Sequence, residues 1–167
     1  VMSPSLLIRK AFLNLNEYGK DSGYEIVYEA THHGPYLDKP TFFIEIGSTE
    51  HQWADKKAGS IISKSLLNAL KDSKQEENIE VALGIGGLHT CPEFNKVVLR
   101  NKIALSHICP KYMLQSLDKE IIEQAITKTQ GQVSLVILDW KGLAQEKQRI
   151  SSILEEIGIR YIKTSSL

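Results

Sequence analysis

Two adjacent histidines and a nearby carboxylate are the side chains of this sequence best suited to chemistry. His32 and His33 are followed, in the next apolar stretch, by Glu45. Imidazoles and a carboxylate can together bind zinc, or the carboxylate can hold an imidazole in one tautomer as a general base. Neighbouring side chains of an extended segment point in opposite directions, so we expect only one of the two histidines in a site unless the loop turns. The alternative is a solvated or capping pair.

Glu45 is the more unusual of these residues because it interrupts an apolar run, Phe42 to Ile46. A carboxylate buried in a strand of this kind must find a partner or stay protonated. A salt bridge with a lysine is the structural alternative to a catalytic or metal-binding role.

A glycine turn with a histidine beyond it is the second candidate. Gly86 and Gly87 end an apolar run, and His89 follows two positions later. Glycines let backbone N–H groups approach an anion or a developing oxyanion closely, although many glycine turns only change the direction of the chain. We predict that His33, Glu45 and His89 approach one another at the carboxyl edge of a sheet.

Basic and aromatic residues lie together at two further predicted strand ends. His107 is followed by Lys111 and Tyr112, and Trp140 is followed by Lys141. Lysine can contact phosphate and an aromatic ring can stack on a base, so both places are predicted to contact RNA. The alternative is an ordinary strand end with an exposed lysine.

The composition is that of one globular domain, residues 1–167, with 42% hydrophobic and 24% charged residues. The formal net charge is +0, so any contact with RNA must come from a local patch. No apolar run is long enough for a membrane span, and we expect a soluble, cytoplasmic protein. Cys91 and Cys109 form no metal-binding pattern and are interpreted as buried thiols. The sequence has no Gly-x-Ser-x-Gly, His-Glu-x-x-His or Walker motif.

Apolar spacing predicts an alternation of helices and strands. Ser3 and Pro4 predict the start of the first helix, and Ser48 or Thr49 the cap of the second. Helices are predicted near 4–15, 54–70, 117–126 and 143–157, and strands over 24–30, 41–47, 79–85, 103–108, 133–138 and 159–162. This order is typical of a three-layer α/β/α domain with a mixed sheet, whose sites lie at the carboxyl ends of strands.

Five motifs in register resemble one enzyme family, the archaeal and plant type of D-aminoacyl-tRNA deacylase. They are Thr31-His32-His33-Gly34-Pro35, Phe43-Ile44-Glu45-Ile46-Gly47-Ser48, Ala82-Leu83-Gly84-Ile85-Gly86-Gly87 with His89 and Pro92, His107-Ile108 with Pro110-Lys111-Tyr112, and Asp139-Trp140-Lys141-Gly142. The resemblance covers nearly the whole chain.

The resemblance implies a phosphorylase/hydrolase-like fold and hydrolysis of D-aminoacyl-tRNA to a free D-amino acid and tRNA, which is chirality proofreading in translation. It implies catalytic roles for His32, His33, Glu45 and His89, and a zinc dependence with His33, Glu45 and His89 as ligands. Gly86, Gly87, His107, Lys111, Tyr112, Trp140 and Lys141 are then expected to contact the substrate. Leu88 departs from the family pattern, which has a third glycine there.

The resemblance also implies that the chain is the C-terminal part of a longer enzyme. For the oligomeric state, which no pattern in the sequence determines, a monomer is slightly favoured. Two other functions stay open at this point. One is a zinc-dependent amide or carboxyl-group hydrolase that acts without RNA. The other is a non-catalytic RNA-binding domain with structural histidines.

Overall fold

The computed structural model describes residues 1–32, 34, 37–47, 49–71 and 77–167. Within these ranges, four strands form one sheet in the order β2-β1-β3-β4. The strands are β1 Glu80–Ile85, β2 Ile103–Cys109, β3 Val133–Leu138 and β4 Tyr161–Lys163. The helices are α1 Ser5–Tyr18, α2 Glu50–Trp53, α3 Lys56–Lys71, α4 Pro92–Arg100, α5 Lys119–Thr127 and α6 Lys147–Ile157. Short 3-10 helices span Lys111–Ser116, Ala144–Glu146 and Thr164–Ser166.

All three strand pairings are parallel, so the α/β fold is confirmed and the prediction of a mixed sheet is wrong. The reason lies in the connections. Helix α4 joins β1 to β2, α5 joins β2 to β3, and α6 joins β3 to β4. Each crossover returns the chain to the same end of the sheet, as parallel strands require. The predicted elements include no helix between β1 and β2, where α4 forms one of these crossovers.

The sheet is covered by apolar residues on both faces, which makes the domain three-layered. Neighbouring residues of β3 alternate between the two cores: Leu135 and Ile137 pack with Phe12 of α1 and Phe94 of α4. Val136 and Leu138 pack in the core that the residues of α5 and α6 complete. Alternate side chains of a strand point to opposite faces, so an uninterrupted apolar run is what a doubly covered strand needs.

Two predicted helix starts differ from the structure. Helix α1 begins at Ser5 after Pro4, and no side chain caps it. Ser3 instead forms an isolated parallel bridge with Thr129. Thr49 caps the short helix α2 rather than the long one. Helix α3 starts after Asp55, whose carboxylate accepts hydrogen bonds from the backbone N–H groups of Lys57 and Ala58.

The segments 24–30 and 41–47 are not strands, contrary to prediction. The burial of their residues nevertheless alternates, and both segments line a shared cavity together with residues of α1 and α3. Alternation therefore reflected a half-buried surface and not a hydrogen-bonded ladder. In the described part of the chain, no helix combines the length and the apolar character needed to cross a membrane.

Candidate functional site

Three side chains that could bind a metal ion gather beside the ends of β1 and β2. Among the described residues, Glu29, His32 and His89 place their ligand atoms within 4.8 Å of one another. Nε2 of His32 lies 3.7 Å from one carboxylate oxygen of Glu29, and Nε2 of His89 lies 3.8 Å from the other. The two imidazole rings are 4.5 Å apart between centroids. All three side chains are partly exposed, so water can reach the cluster.

The hydrogen bonds of the two rings orient their Nε2 atoms toward Glu29. Nδ1 of His32 lies 2.6 Å from the carbonyl oxygen of Ala30. A carbonyl only accepts, so Nδ1 carries the proton and Nε2 of the neutral ring holds a lone pair. Nδ1 of His89 lies 3.4 Å from the hydroxyl of Tyr112. Outer hydrogen bonds of this kind fix ring orientation in metal and acid–base sites.

Glu29 and His32 are positioned by backbone hydrogen bonds although their segment is not a strand. The Tyr28 N–H donates to Oδ1 of Asn95 in α4 at 2.8 Å. The Ala30 N–H donates to the carbonyl of His89, also at 2.8 Å. The second bond ties the segment directly to the loop that carries the other histidine.

A third anchor joins the same segment to strand β2. The Thr31 N–H donates to the carbonyl of Ile108 at 2.9 Å, and the Ile108 N–H donates to Oγ1 of Thr31 at 3.0 Å. The hydroxyl thereby satisfies a buried backbone donor, because Ile108 is almost fully buried. Thr31 directly precedes His32 and holds that part of the segment against the end of β2.

The donor set fits a zinc ion. Two imidazole nitrogens and a carboxylate are common zinc ligands at about 2.0–2.2 Å, so tetrahedral ligands are separated by about 3.4 Å. The two imidazole–carboxylate separations, 3.7 and 3.8 Å, are slightly larger and run to different oxygens of Glu29. One ligand atom from each of the three residues lies within 4.8 Å of the others. Small side-chain rotations would close that difference.

Neither cysteine is suited to be the nucleophile of this site. Both are free thiols. Burial, with a smaller contribution from the charge of Glu29, raises the pKa of Cys91 to about 12. Burial raises the pKa of Cys109 to about 11. Both thiols therefore stay protonated and poorly nucleophilic at neutral pH.

A cavity of about 540 Å³ opens beside the cluster. Glu29 and His32 line it together with α1, α3 and the segment 41–47. Most of its wall is apolar, with Phe12 and Ile26 among the lining residues. A cavity of this size, with a few polar groups at one place on its wall, is typical of a small-molecule site.

The two glycines after β1 serve close packing between loops. The Gly86 N–H donates to the carbonyl of Cys109 at 2.8 Å, so it is not available to an oxyanion. A Cβ on Gly142 would lie 2.5 Å from the backbone nitrogen of Gly87. A Cβ on Gly86 would lie 2.9 Å from the carbonyl oxygen of Asp139. The loops after β1 and β3 can therefore touch only because these positions are glycine.

Four of the predicted substrate-contacting residues follow the carboxyl ends of β2 and β3. Lys111 follows β2, is exposed, and donates its backbone N–H to the carbonyl of Gly87. Tyr112 is 59% exposed, which leaves its ring free to contact a ligand while its hydroxyl contacts His89. Trp140 is half-buried after β3, next to the exposed Lys141.

His107 lies on the wall of the cavity, inside β2. Its Nε2 donates to the carbonyl of Lys128 at 3.1 Å. Burial lowers the pKa of His107 from its ordinary value of 6.5, and the hydrogen bond to Lys128 opposes that shift. His107 is therefore a neutral residue with a structural hydrogen bond, and it can contact a ligand only from within the cavity.

The predicted grouping of His33, Glu45 and His89 stays a prediction. His33 lies outside the described residues. Glu45 lines the same cavity as Glu29 and His32, yet it is not a member of the three-residue cluster. The prediction that Glu45 is buried in a strand is wrong, because the residue is exposed and its segment is irregular.

Glu29 is the residue of the cluster that is absent from the site predicted from the sequence. It belongs to the alternating run 24–30 and precedes His32 by three positions. An acid shortly before a histidine at the predicted end of a strand was the available signal. This signal did not single out Glu29, because Glu25 occupies an equivalent position in the same alternating run. In addition, nothing in the sequence shows that His89 lies against this segment.

The comparisons with known proteins agree on one family. The sequence model for D-aminoacyl-tRNA deacylase matches residues 1–162. The D-aminoacyl-tRNA deacylase of Thermococcus kodakarensis is 40% identical over 165 residues, which cover 98% of this chain and 59% of that protein. The D-aminoacyl-tRNA deacylase of Pyrococcus furiosus is 41% identical over 158 residues, covering 93% of this chain and 57% of that protein.

A solved structure shares the fold. The crystal structure of the conserved protein of unknown function AF0625 matches with a TM-score of 0.88 and 27% sequence identity. The match covers 99% of this chain and 59% of that one. The chain thus spans less than two thirds of the length of the relatives it matches.

Proposed function

Because this chain belongs to the D-aminoacyl-tRNA deacylase family, we propose that it hydrolyses the ester bond of D-aminoacyl-tRNA and releases a free D-amino acid and tRNA. Such an activity removes wrongly charged tRNA in the cytoplasm. The observation that carries the proposal is the convergence of Glu29, His32 and His89 beside an apolar cavity. This arrangement offers a base, a carboxylate and room for an aminoacyl group.

Hydrolysis of the ester requires one activated water molecule, because the aminoacyl ester is already reactive. The water oxygen attacks the ester carbonyl carbon while Nε2 of His32 accepts the water proton. Glu29, 3.7 Å away, stabilises the imidazolium that forms. As the bond to the ribose oxygen breaks, the same nitrogen returns the proton to that oxygen.

Zinc is part of this proposal as the metal that His32, His89 and Glu29 would hold. With zinc bound, Nε2 of His32 would be a ligand and the metal would activate the water, whereas without zinc the same nitrogen is the base described above. Only His89 is shared with the ligand set predicted from the sequence. A bound zinc ion lowers the pKa of water and polarises a carbonyl group. The hydrogen bond from Nδ1 of His32 to Ala30 supports this role, because it leaves Nε2 as the ligand atom.

Conservative variants of the cluster test the proposed function. We expect Glu29→Gln and His89→Asn to slow hydrolysis of D-tyrosyl-tRNA by about 100-fold or more, in the range of a lost acid–base group. His51→Asn is the matched control, because His51 is an exposed histidine of helix α2 outside the cluster. L-Tyrosyl-tRNA and a short peptide, assayed with the unsubstituted full chain, should be poor substrates. Equal hydrolysis of the peptide would overturn the proposal.

The metal is tested separately. We expect the purified full chain to bind about one zinc ion and to lose hydrolysis after complete chelation, with recovery on adding zinc. Glu29→Gln should lower the zinc content measured by elemental analysis, while His51→Asn should not. Unchanged turnover after complete removal of metal would assign the base role to His32 alone.

A further inference from the structure

Trp140 carries two lysine side chains over its ring. Nζ of Lys163, at the end of β4, lies 4.1 Å from the ring centroid, and Nζ of Lys147, at the start of α6, lies 5.5 Å from it. These distances are those of cation–π contacts. The half-buried Trp140 packs against the core between the sheet and helices α5 and α6, so the ring is held in place. We call Trp140, Lys147 and Lys163 the Trp140 platform.

The positive charge of the platform is not neutralised within the described part of the chain. Lys147 and Lys163 form no ion pair there, while Lys96, Lys119, Arg149 and Arg160 each pair with an acid. The acids that neighbour Trp140 and Lys147 in the sequence contact other groups. Asp139 accepts a hydrogen bond from the Gly142 N–H, and Glu146 pairs with Arg149. Lys141, exposed beside Trp140, adds a third positive charge.

The platform lies along the same edge of the sheet as the histidine cluster. Trp140 follows β3 and Lys163 ends β4, while His89 follows β1. All strands are parallel, and β4 is two places from β1 in the sheet. Neighbouring strands are about 4.8 Å apart, so the ends of β1 and β4 are about 10 Å apart. Trp140 packs on the face of α5 and α6, and the cavity opens on the face of α1 and α3, so a substrate that contacts both places must extend across this edge of the sheet.

We infer that Lys147 and Lys163, ordered on Trp140, bind phosphate groups of the tRNA, with Lys141 at the margin. The inference rests on the proposed function and adds a binding surface to it. It also changes the role expected for Trp140. Lys163 stands over the ring where a stacked base would have to lie, so the ring orders lysines and does not stack on a base. Ordered lysines lose less side-chain entropy when they meet a phosphate.

The salt dependence of tRNA binding tests the inference. Each phosphate contact adds about 0.7–0.9 to the slope of log affinity against log salt. Uncharged tRNA is the probe, and the full chain is used. The double variant Lys147→Ala/Lys163→Ala should therefore lower the slope by about 1.5. Lys147→Arg/Lys163→Arg should keep the slope of the unsubstituted protein, and Lys96→Ala is the matched control, with a lysine that pairs with Glu93.

The Trp140→Leu variant distinguishes a ring that orders the two lysines from a ring on which a base of the tRNA stacks. If the ring only orders lysines, the slope stays the same and the affinity for tRNA falls about threefold. If a base stacks on it, the affinity falls tenfold or more at an unchanged slope, and that result would overturn the role assigned to Trp140. Thermal unfolding of each variant shows that the fold is intact.

A short substrate distinguishes this inference from the proposed function. Hydrolysis of D-tyrosyl-adenosine needs the histidine cluster but no distant phosphate contact, so the Lys147→Ala/Lys163→Ala variant should hydrolyse it at the unsubstituted rate. An unchanged salt slope in that variant, with hydrolysis of D-tyrosyl-adenosine intact, overturns the platform and leaves the proposed function standing. Lack of hydrolysis of both substrates by the unsubstituted protein overturns the proposed function, while the salt slope still tests the platform.

Discussion

The sheet and the segment 24–47 contribute to the candidate site in different ways. The strands β1 to β3 are apolar, almost fully buried and tied together by parallel ladders. The segment has no strand in its described residues, yet it supplies Glu29 and His32, two of the three clustered side chains. Regular structure provides the frame here, and an irregular segment provides most of the chemistry.

The difference shows how an irregular segment can still hold a side chain in place. Its positions are fixed by individual hydrogen bonds to Asn95, His89 and Ile108 and not by a ladder. Loss of one such bond should affect the site more than the fold. Loss of close packing between the loops of the sheet should affect the fold first.

The largest expected effect is on the packing between the loops after β1 and β3. In Gly142→Ala the new Cβ would lie 2.5 Å from the backbone nitrogen of Gly87, so one loop must move. Overpacking of this kind costs about 3 kcal/mol. We expect the free energy of unfolding, measured by urea titration, to fall by that amount.

Gly59→Ala is the control for the glycine substitution. Gly59 lies inside helix α3, and a Cβ there would have no heavy atom within 4 Å. We expect stabilisation of about 0.5–1 kcal/mol, because alanine is the better helix former. Equal effects of the two substitutions would contradict the packing role of Gly142.

The next effect concerns the anchor between the segment and β2. Thr31→Val removes the acceptor of the buried Ile108 N–H but keeps the shape of the side chain. An unsatisfied buried donor costs about 1–2 kcal/mol. Because Thr31 directly precedes His32, we also expect hydrolysis of D-tyrosyl-tRNA to fall by about tenfold.

Thr31→Ser keeps the hydroxyl and serves as the matched variant. It should retain most of the stability and of the hydrolysis rate. If Thr31→Val lowered the free energy of unfolding but left hydrolysis unchanged, the position of His32 would not depend on this anchor.

The smallest expected effect is the pH dependence that His107 contributes. Burial lowers the pKa of His107 in the folded state below its ordinary value of 6.5. The unfolded state then binds the proton more readily, so this contribution to stability is complete above pH 6.5 and is lost as the pH falls toward the folded pKa. His107→Gln keeps a donor for the Lys128 carbonyl and should flatten the stability curve below pH 6.5. Urea titrations between pH 5 and 8 measure the difference.

Much of the frame was predictable from the sequence. The apolar runs that became β2 and β3 were placed correctly, because a strand buried on both faces must be apolar throughout. Helix α4 was not predicted, although Pro92 at its first position and the helical spacing of Phe94, Val97 and Val98 were visible. Its omission led to the mixed sheet, since a parallel pair needs that crossover.

The candidate site was less predictable because its members meet through long-range contacts. His89 was recognised beside the glycine turn, but Glu29 is brought to it by long-range contacts, among them the backbone hydrogen bond between Ala30 and His89. The lysines of the Trp140 platform lie far from one another in the sequence and had no local pattern. Motifs identify residues that are close in the sequence, whereas the residues of this site are distant in the sequence and close in the folded structure.

The position of β1 in the centre of the sheet sets the order in which the fold can assemble. Its partner β2 follows after the single short helix α4, while β3 comes only after the further passage through α5. Closing the shorter connection costs less chain entropy. The pairing of β1 with β2 around α4 is therefore expected to precede the pairing of β1 with β3, and the loops after β1 and β3 can meet through Gly142 only once β3 has docked.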